Sequence, residues 1–126
     1  NELIKWKKVL AEYDSGHEPQ SHFVLKQSIV AMGPAAFVPF PFEMFVELTL
    51  RIRKDSPYLH TLCLSNANGS ISYFPSQDQL CRGGYEIWAF KAGNAYSMVD
   101  NADTYAVQEN LRLLKTLSQK TEGDSV

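Results

Sequence analysis

Apolar and polar residues recur along this chain in two different periods, and the switches between them mark its elements. Leu3, Trp6, Leu10 and Tyr13 fall at helical spacing with Val9 beside them, while Lys5, Lys7, Lys8 and Glu12 take the remaining face. This predicts a helix over residues 2–13, ended by Asp14-Ser15-Gly16. After a polar connection at 16–21, residues 22–32 read as β-like, carrying Phe23, Leu25, Ile29 and Val30. Gly33-Pro34 breaks that stretch, and 35–40 reads as a second strand, antiparallel to the first across the short gap. Pro39 and Pro41 cannot donate to a ladder, so this strand is expected to end near Val38 or to lie at an edge there.

From Pro41 the period becomes that of a helix, predicted over 41–54. Phe42, Met44, Phe45, Val46, Leu48, Leu50 and Ile52 cover most of its circumference, and Glu43, Glu47, Arg51 and Lys54 share a narrow polar strip. Such a helix is expected to be sandwiched inside the protein. Glu43 would sit in its first turn, and Glu47 would support Arg51 at i, i+4. Asp55-Ser56-Pro57 closes it. A buried strand, His60–Leu64, follows and stops at Asn66-Ala67-Asn68-Gly69. Ser76–Gln79 has the capping character of a short turn. Tyr85–Phe90 reads as a further aromatic strand, with a turn over 91–94. Asp100, Asn101 and Asp103 offer cap oxygens for a last helix to about Gln119, striped by Val107, Leu111 and Leu114.

The order α-β-β-α-β-(β)-α implies an α/β (α+β layered) fold, helices packed on a small mixed sheet. Residues 1–120 form one domain on this reading, and 121–126 a frayed polar tail. The 126 residues, 44% hydrophobic and 21% charged, suffice for one core. A net charge of −2 leaves no electrostatic footprint for nucleic acid. No apolar run approaches the ~20 residues of a transmembrane helix. The chain opens on Asn1 and enters a helix at once, so it reads as a piece of a longer polypeptide.

Candidate chemistry gathers in the loops around the 60–64 strand. Cys63 and Cys81 have no metal spacing; Cys63 reads as a small buried hydrophobe, and a disulfide between the two is left open. His17 and His22 fall in or beside a connection and read as solvated, while His60 heads a strand and reads as a cap. No G-x-S-x-G, H-E-x-x-H or P-loop occurs. Taken singly, Glu43 is a helix-terminal acid, Tyr73 a half-buried strand aromatic, Gly83-Gly84 a turn, and Tyr85-Glu86 surface packing.

Together these positions carry a resemblance. Phe40-Pro41-Phe42-Glu43, Glu47-Leu48, Ser56-Pro57, Asn68-Gly69, Tyr73-Phe74-Pro75-Ser76 and Gly83-Gly84-Tyr85-Glu86, in this order, resemble the C-terminal part of the neutral/alkaline ceramidase family. The likeness spans roughly residues 6 to 117. Phe42 stands where that family has the glycine of Pro-Gly-Glu, and Ser70 where it has a first tyrosine, which marks a divergent member. The resemblance implies a zinc amidohydrolase that cuts the N-acyl bond of a sphingolipid amide. Its metal would be held by Glu43 and Tyr73 together with two histidines from the N-terminal part of the same protein. Asn68, Gly83, Gly84, Tyr85 and Glu86 would then support or shape the site, and the isolated segment would be inactive. The resemblance further implies a secreted or periplasmic parent. An uncovered apolar face on the 41–54 helix could drive dimerisation. The reading from a different class is a non-catalytic binding domain of a larger extracellular protein, presenting the aromatic rim of Tyr73 and Tyr85.

Overall fold

A computed structural model of the chain describes residues 2–16, 25–93 and 98–123. The fold is α+β, with helices beside a small mixed sheet. The first helix, α1 (Glu2–Asp14), carries its apolar residues Leu3, Ile4, Trp6 and Leu10 exposed. The first strand, β1, is confined to Val30–Met32; residues 25–29 have no regular structure, and His22 and Phe23 lie outside the described residues. β1 pairs antiparallel with β2 (Ala35–Pro39) across Gly33-Pro34, as the sequence leads one to expect, with Gly33 at a positive φ of 56°.

β2 is central: it also pairs in parallel with the strand His60–Leu64, giving the order β1-β2-β4 once that strand is counted in sequence. Pro39 survives in a central strand because β1 stops opposite Phe37. Beyond that point the outer side of β2 meets no ladder, and the Pro39 carbonyl instead accepts from Gln27 Nε2 at 2.8 Å.

The segment after Pro39 departs from the expected helix. Phe40 to Phe45 stays out of the helix, bending at Pro41-Phe42, because Phe40 precedes a proline and Pro41 has no N–H to give. Its polar groups bond to the facing loop: Ile71 N donates to Pro41 O at 2.7 Å, Asn66 N to Phe42 O at 3.0 Å, and Glu43 N to Ser72 O at 2.9 Å. This yields a short strand, β3 (Glu43–Met44), and only then α2 (Val46–Asp55). Glu43 is therefore a strand residue and not the first-turn acid of a helix. Nor is α2 sandwiched: Leu48 and Ile52 are fully buried, whereas Val46 and Leu50 are exposed.

β4 (His60–Leu64) precedes β5 (Tyr73–Phe74), and β5 pairs in parallel with β3. Ser76–Arg82 forms turns, with Gln79 N bonded to Ser76 O at 3.1 Å. The expected strand at 85–90 is a helix, α3 (Tyr85–Gly93). Ile87 and Phe90 are buried one helical turn apart, and Tyr85 and Trp88 are exposed one turn apart. Aromatic content imitates a strand here, and the i, i+3 spacing decides for helix. The last helix, α4 (Ala102–Gly123), buries Val107 and Leu114 with Leu111 beside them, so its stripe is as expected; it runs three residues into the anticipated tail.

One core unites these pieces: Ala36, Val38, Phe40, Leu48, Ile52, Val107 and Leu114. Asp103, buried and held at 3.0 Å from Arg51 Nη1, ties α4 to α2 and also accepts Gln77 N at 3.2 Å. Arg51 thus pairs across helices with Asp103 rather than along its own helix with Glu47.

Candidate functional site

The β3–β5 ladder decides where the two foremost candidates point. Its register sets Glu43 opposite Tyr73 and Met44 opposite Phe74. Side chains alternate along a strand, and partners in a ladder share a face. Met44 and Phe74 pack against the core, and Phe74 also meets Phe42 with ring centroids 5.3 Å apart. Glu43 and Tyr73 are therefore driven together onto the outer face. The two side chains stand close enough for the Glu43 carboxylate to act on the Tyr73 phenol.

These two residues line an open cleft of about 360 Å³ together with Met44, Phe45, Val46, Glu47, Gln79 and Glu86. Gln79 Nε2 reaches Glu47 Oε1 at 3.5 Å. Tyr85 stands edge-on to Tyr73, centroids 6.4 Å apart at 83°, and Trp88 continues the row 6.5 Å beyond. Desolvation raises the Tyr73 phenol above its ordinary value, and the Glu43 carboxylate, as charge and as acceptor, adds to it, with Tyr85 and Glu86 following. Glu43, Glu47 and Glu86 line this cleft, with no lysine or arginine among its lining residues.

Gly83 and Gly84, at φ of 76° and 105°, make the turn that starts α3, whose first bond runs from Trp88 N to Gly84 O at 3.0 Å. From this turn Tyr85 and Glu86 enter the first turn of α3. Asn68 does not reach the cleft. It is exposed in the β4–β5 loop at φ 64°, beside Gly69, whose φ is 141° and where an added Cβ would stand 3.3 Å from Pro41 Cβ. Phe42 is buried and is not among the positive-φ residues, so the backbone before Glu43 has no need of glycine. Glu47 and Gln79 join the cleft unforeseen as site residues, Glu47 having stood only within the run of positions that carry the resemblance.

As donors for a zinc ion, a carboxylate and a phenol oxygen side by side fit two positions of a tetrahedral set. Among the described residues no three His, Cys, Asp or Glu side chains gather as a metal-holding group. His60 lies on β4, lining a different groove, and His17 and His22 lie outside the described residues. Cys63 and Cys81 are both free thiols. No described helix is long and apolar enough to cross a membrane. Fold and cleft together define an α+β domain with a carboxylate–phenol pair on its surface. No family model, curated protein or solved structure matches the chain.

Proposed function

We propose that this chain is the C-terminal segment of a ceramidase-like zinc amidohydrolase, in which Glu43 and Tyr73 supply two oxygen ligands and a preceding part of the protein supplies two imidazoles. The observation that carries this reading is the pairing of Glu43 with Tyr73 across two parallel strands, on one face, where the carboxylate acts on the phenol. A carboxylate-rich cleft with no cation in its lining favours a divalent metal, and such an ion would reverse the upward push on the phenol. When bound, zinc supplies polarisation of an amide carbonyl and acidification of a water. The chain's own part is to hold two oxygens in place on backbone-defined strands and to frame the cleft with Glu86 and Tyr85. The segment has half a ligand set, so on its own it neither holds zinc tightly nor cleaves amides.

Metal analysis and an N-acyl amidase assay of the whole parent, beside Glu43→Gln and Tyr73→Phe, test this. Loss of even an outer-shell partner costs about 10–100-fold in metal affinity or activity, so each ligand variant is expected to lose at least that much. Parent-like zinc content and turnover in both variants would overturn the assignment, as would tight stoichiometric zinc in calorimetry of this chain alone. A second reading draws on the row Tyr73–Tyr85–Trp88, whose last two rings are exposed: a non-catalytic module that stacks a sugar or partner on aromatics. It predicts binding lost in Trp88→Ala while Glu43→Gln binds normally.

A further inference from the structure

Further along α2 from the cleft lies a larger groove of about 810 Å³, bounded by Thr49, Leu50, Arg53 and Lys54 of α2 and by residues 59–64. β4 ends the sheet order, and among the described residues no strand pairs with its outer edge. His60 N donates to Pro34 O and Leu64 O accepts from Phe40 N, so the even-numbered residues of β4 turn their backbone groups toward β2. The alternation of a strand then turns the N–H and C=O of Thr61 and Cys63 outward, into the groove. Leu50, Leu59, Leu62 and Leu64 are all exposed around it. Arg53 and Lys54 stand on its α2 wall without an ion-pair partner among the described residues.

We infer that this groove receives one extended, acidic and apolar peptide strand from a partner protein, added to the sheet along the outer edge of β4. An unpaired strand edge selects an extended chain, because only such a chain answers the outward amides and carbonyls of Thr61 and Cys63. The four leucines select apolar side chains on the incoming strand. The two uncompensated cations select carboxylates, and they also set the partner apart from a second copy of this chain. Edge-to-edge pairing of two copies about a twofold axis would bring two Arg53-Lys54 pairs to one seam, and like charges so placed repel.

The probe is a capped heptapeptide of alternating valine and glutamate, titrated into the 126-residue chain and followed by amide-resolved NMR and hydrogen exchange. Saturable binding below about 1 mM is expected, with exchange at Thr61 and Cys63 slowed at least tenfold and little change at His60 and Leu62. The double variant Arg53→Glu with Lys54→Glu, both exposed, keeps its fold by spectral dispersion and binds at least tenfold more weakly. A valine–lysine heptapeptide should bind that variant better than the parent chain. Absence of binding by the valine–glutamate peptide, binding that leaves Thr61 and Cys63 unprotected, or indifference to the charge reversal would each overturn the inference. So would protection of the same two amides that rises with chain concentration when no peptide is present, since a second copy would then occupy the edge.

Discussion

Single residues in this chain act through backbone demands and burial that can be read separately. Gly69 combines φ of 141° with a near contact to Pro41 at the bend before β3. Gly69→Ala should lower stability by about 1–3 kcal/mol in urea unfolding, the cost of a side chain in a region of φ that tolerates glycine only. Cys63 is the other informative position. Burial pushes its thiol from 9.0 up to about 11, with Arg53 pulling the other way. Between those values the unfolded chain gives up a proton that the folded chain keeps. The contribution to stability is therefore complete below pH 9 and declines as pH rises toward 11. Unfolding midpoints at pH 8 and 10.5 should show this decline in the parent chain and less of it in Cys63→Val. With iodoacetamide at pH 8, mass spectrometry should find the exposed Cys81 alkylated well before Cys63.

At the scale of elements, the sequence revealed what rests on long periods and hid what rests on partners far along the chain. The α4 stripe and the β1–β2 hairpin were legible because local spacing and Gly33-Pro34 carry them. The start of α2 was not: apolar residues from Phe42 onward suit a helix, but Phe40–Phe45 spends its backbone bonds on residues 64–74, partners that local spacing does not announce. α3 was concealed by aromatics that favour strands in isolation. The Glu43–Tyr73 convergence was legible only through resemblance, since twenty-nine intervening residues separate two positions that a two-residue ladder unites. Arg51 offers a test of partner choice. Asp103→Ala should cost about 2–3 kcal/mol, because it strips a charged acceptor from Arg51 and Gln77 N together. Glu47→Ala should change stability by less than about 0.5 kcal/mol, its expected partner Arg51 being engaged elsewhere.

Across the whole molecule, the two faces of the β1-β2-β4 sheet are unequally covered among the described residues. Ala36, Val38, Thr61 and Cys63 face α2, while Val30, Met32, Leu62 and Leu64 lie exposed on the other side. That asymmetry gives a direct comparison. Leu48→Ala, in the covered layer, should lose about 2–5 kcal/mol. Met32→Ser, on the bare layer, should stay within about 0.5 kcal/mol while lowering the fluorescence of a bound hydrophobic dye. The ladder between β3 and β5 has a different kind of consequence. Because each of these strands is two residues long, a slip of one residue leaves a single pair. Loss of one residue between Leu64 and Tyr73, if the loop could not absorb it, would carry Phe74 to the spot facing Glu43 and leave a benzene ring where a phenol had been. The carboxylate–phenol pair at this surface is thus hostage to loop length, and descendants of the chain could abandon it by a single codon without disturbing the core.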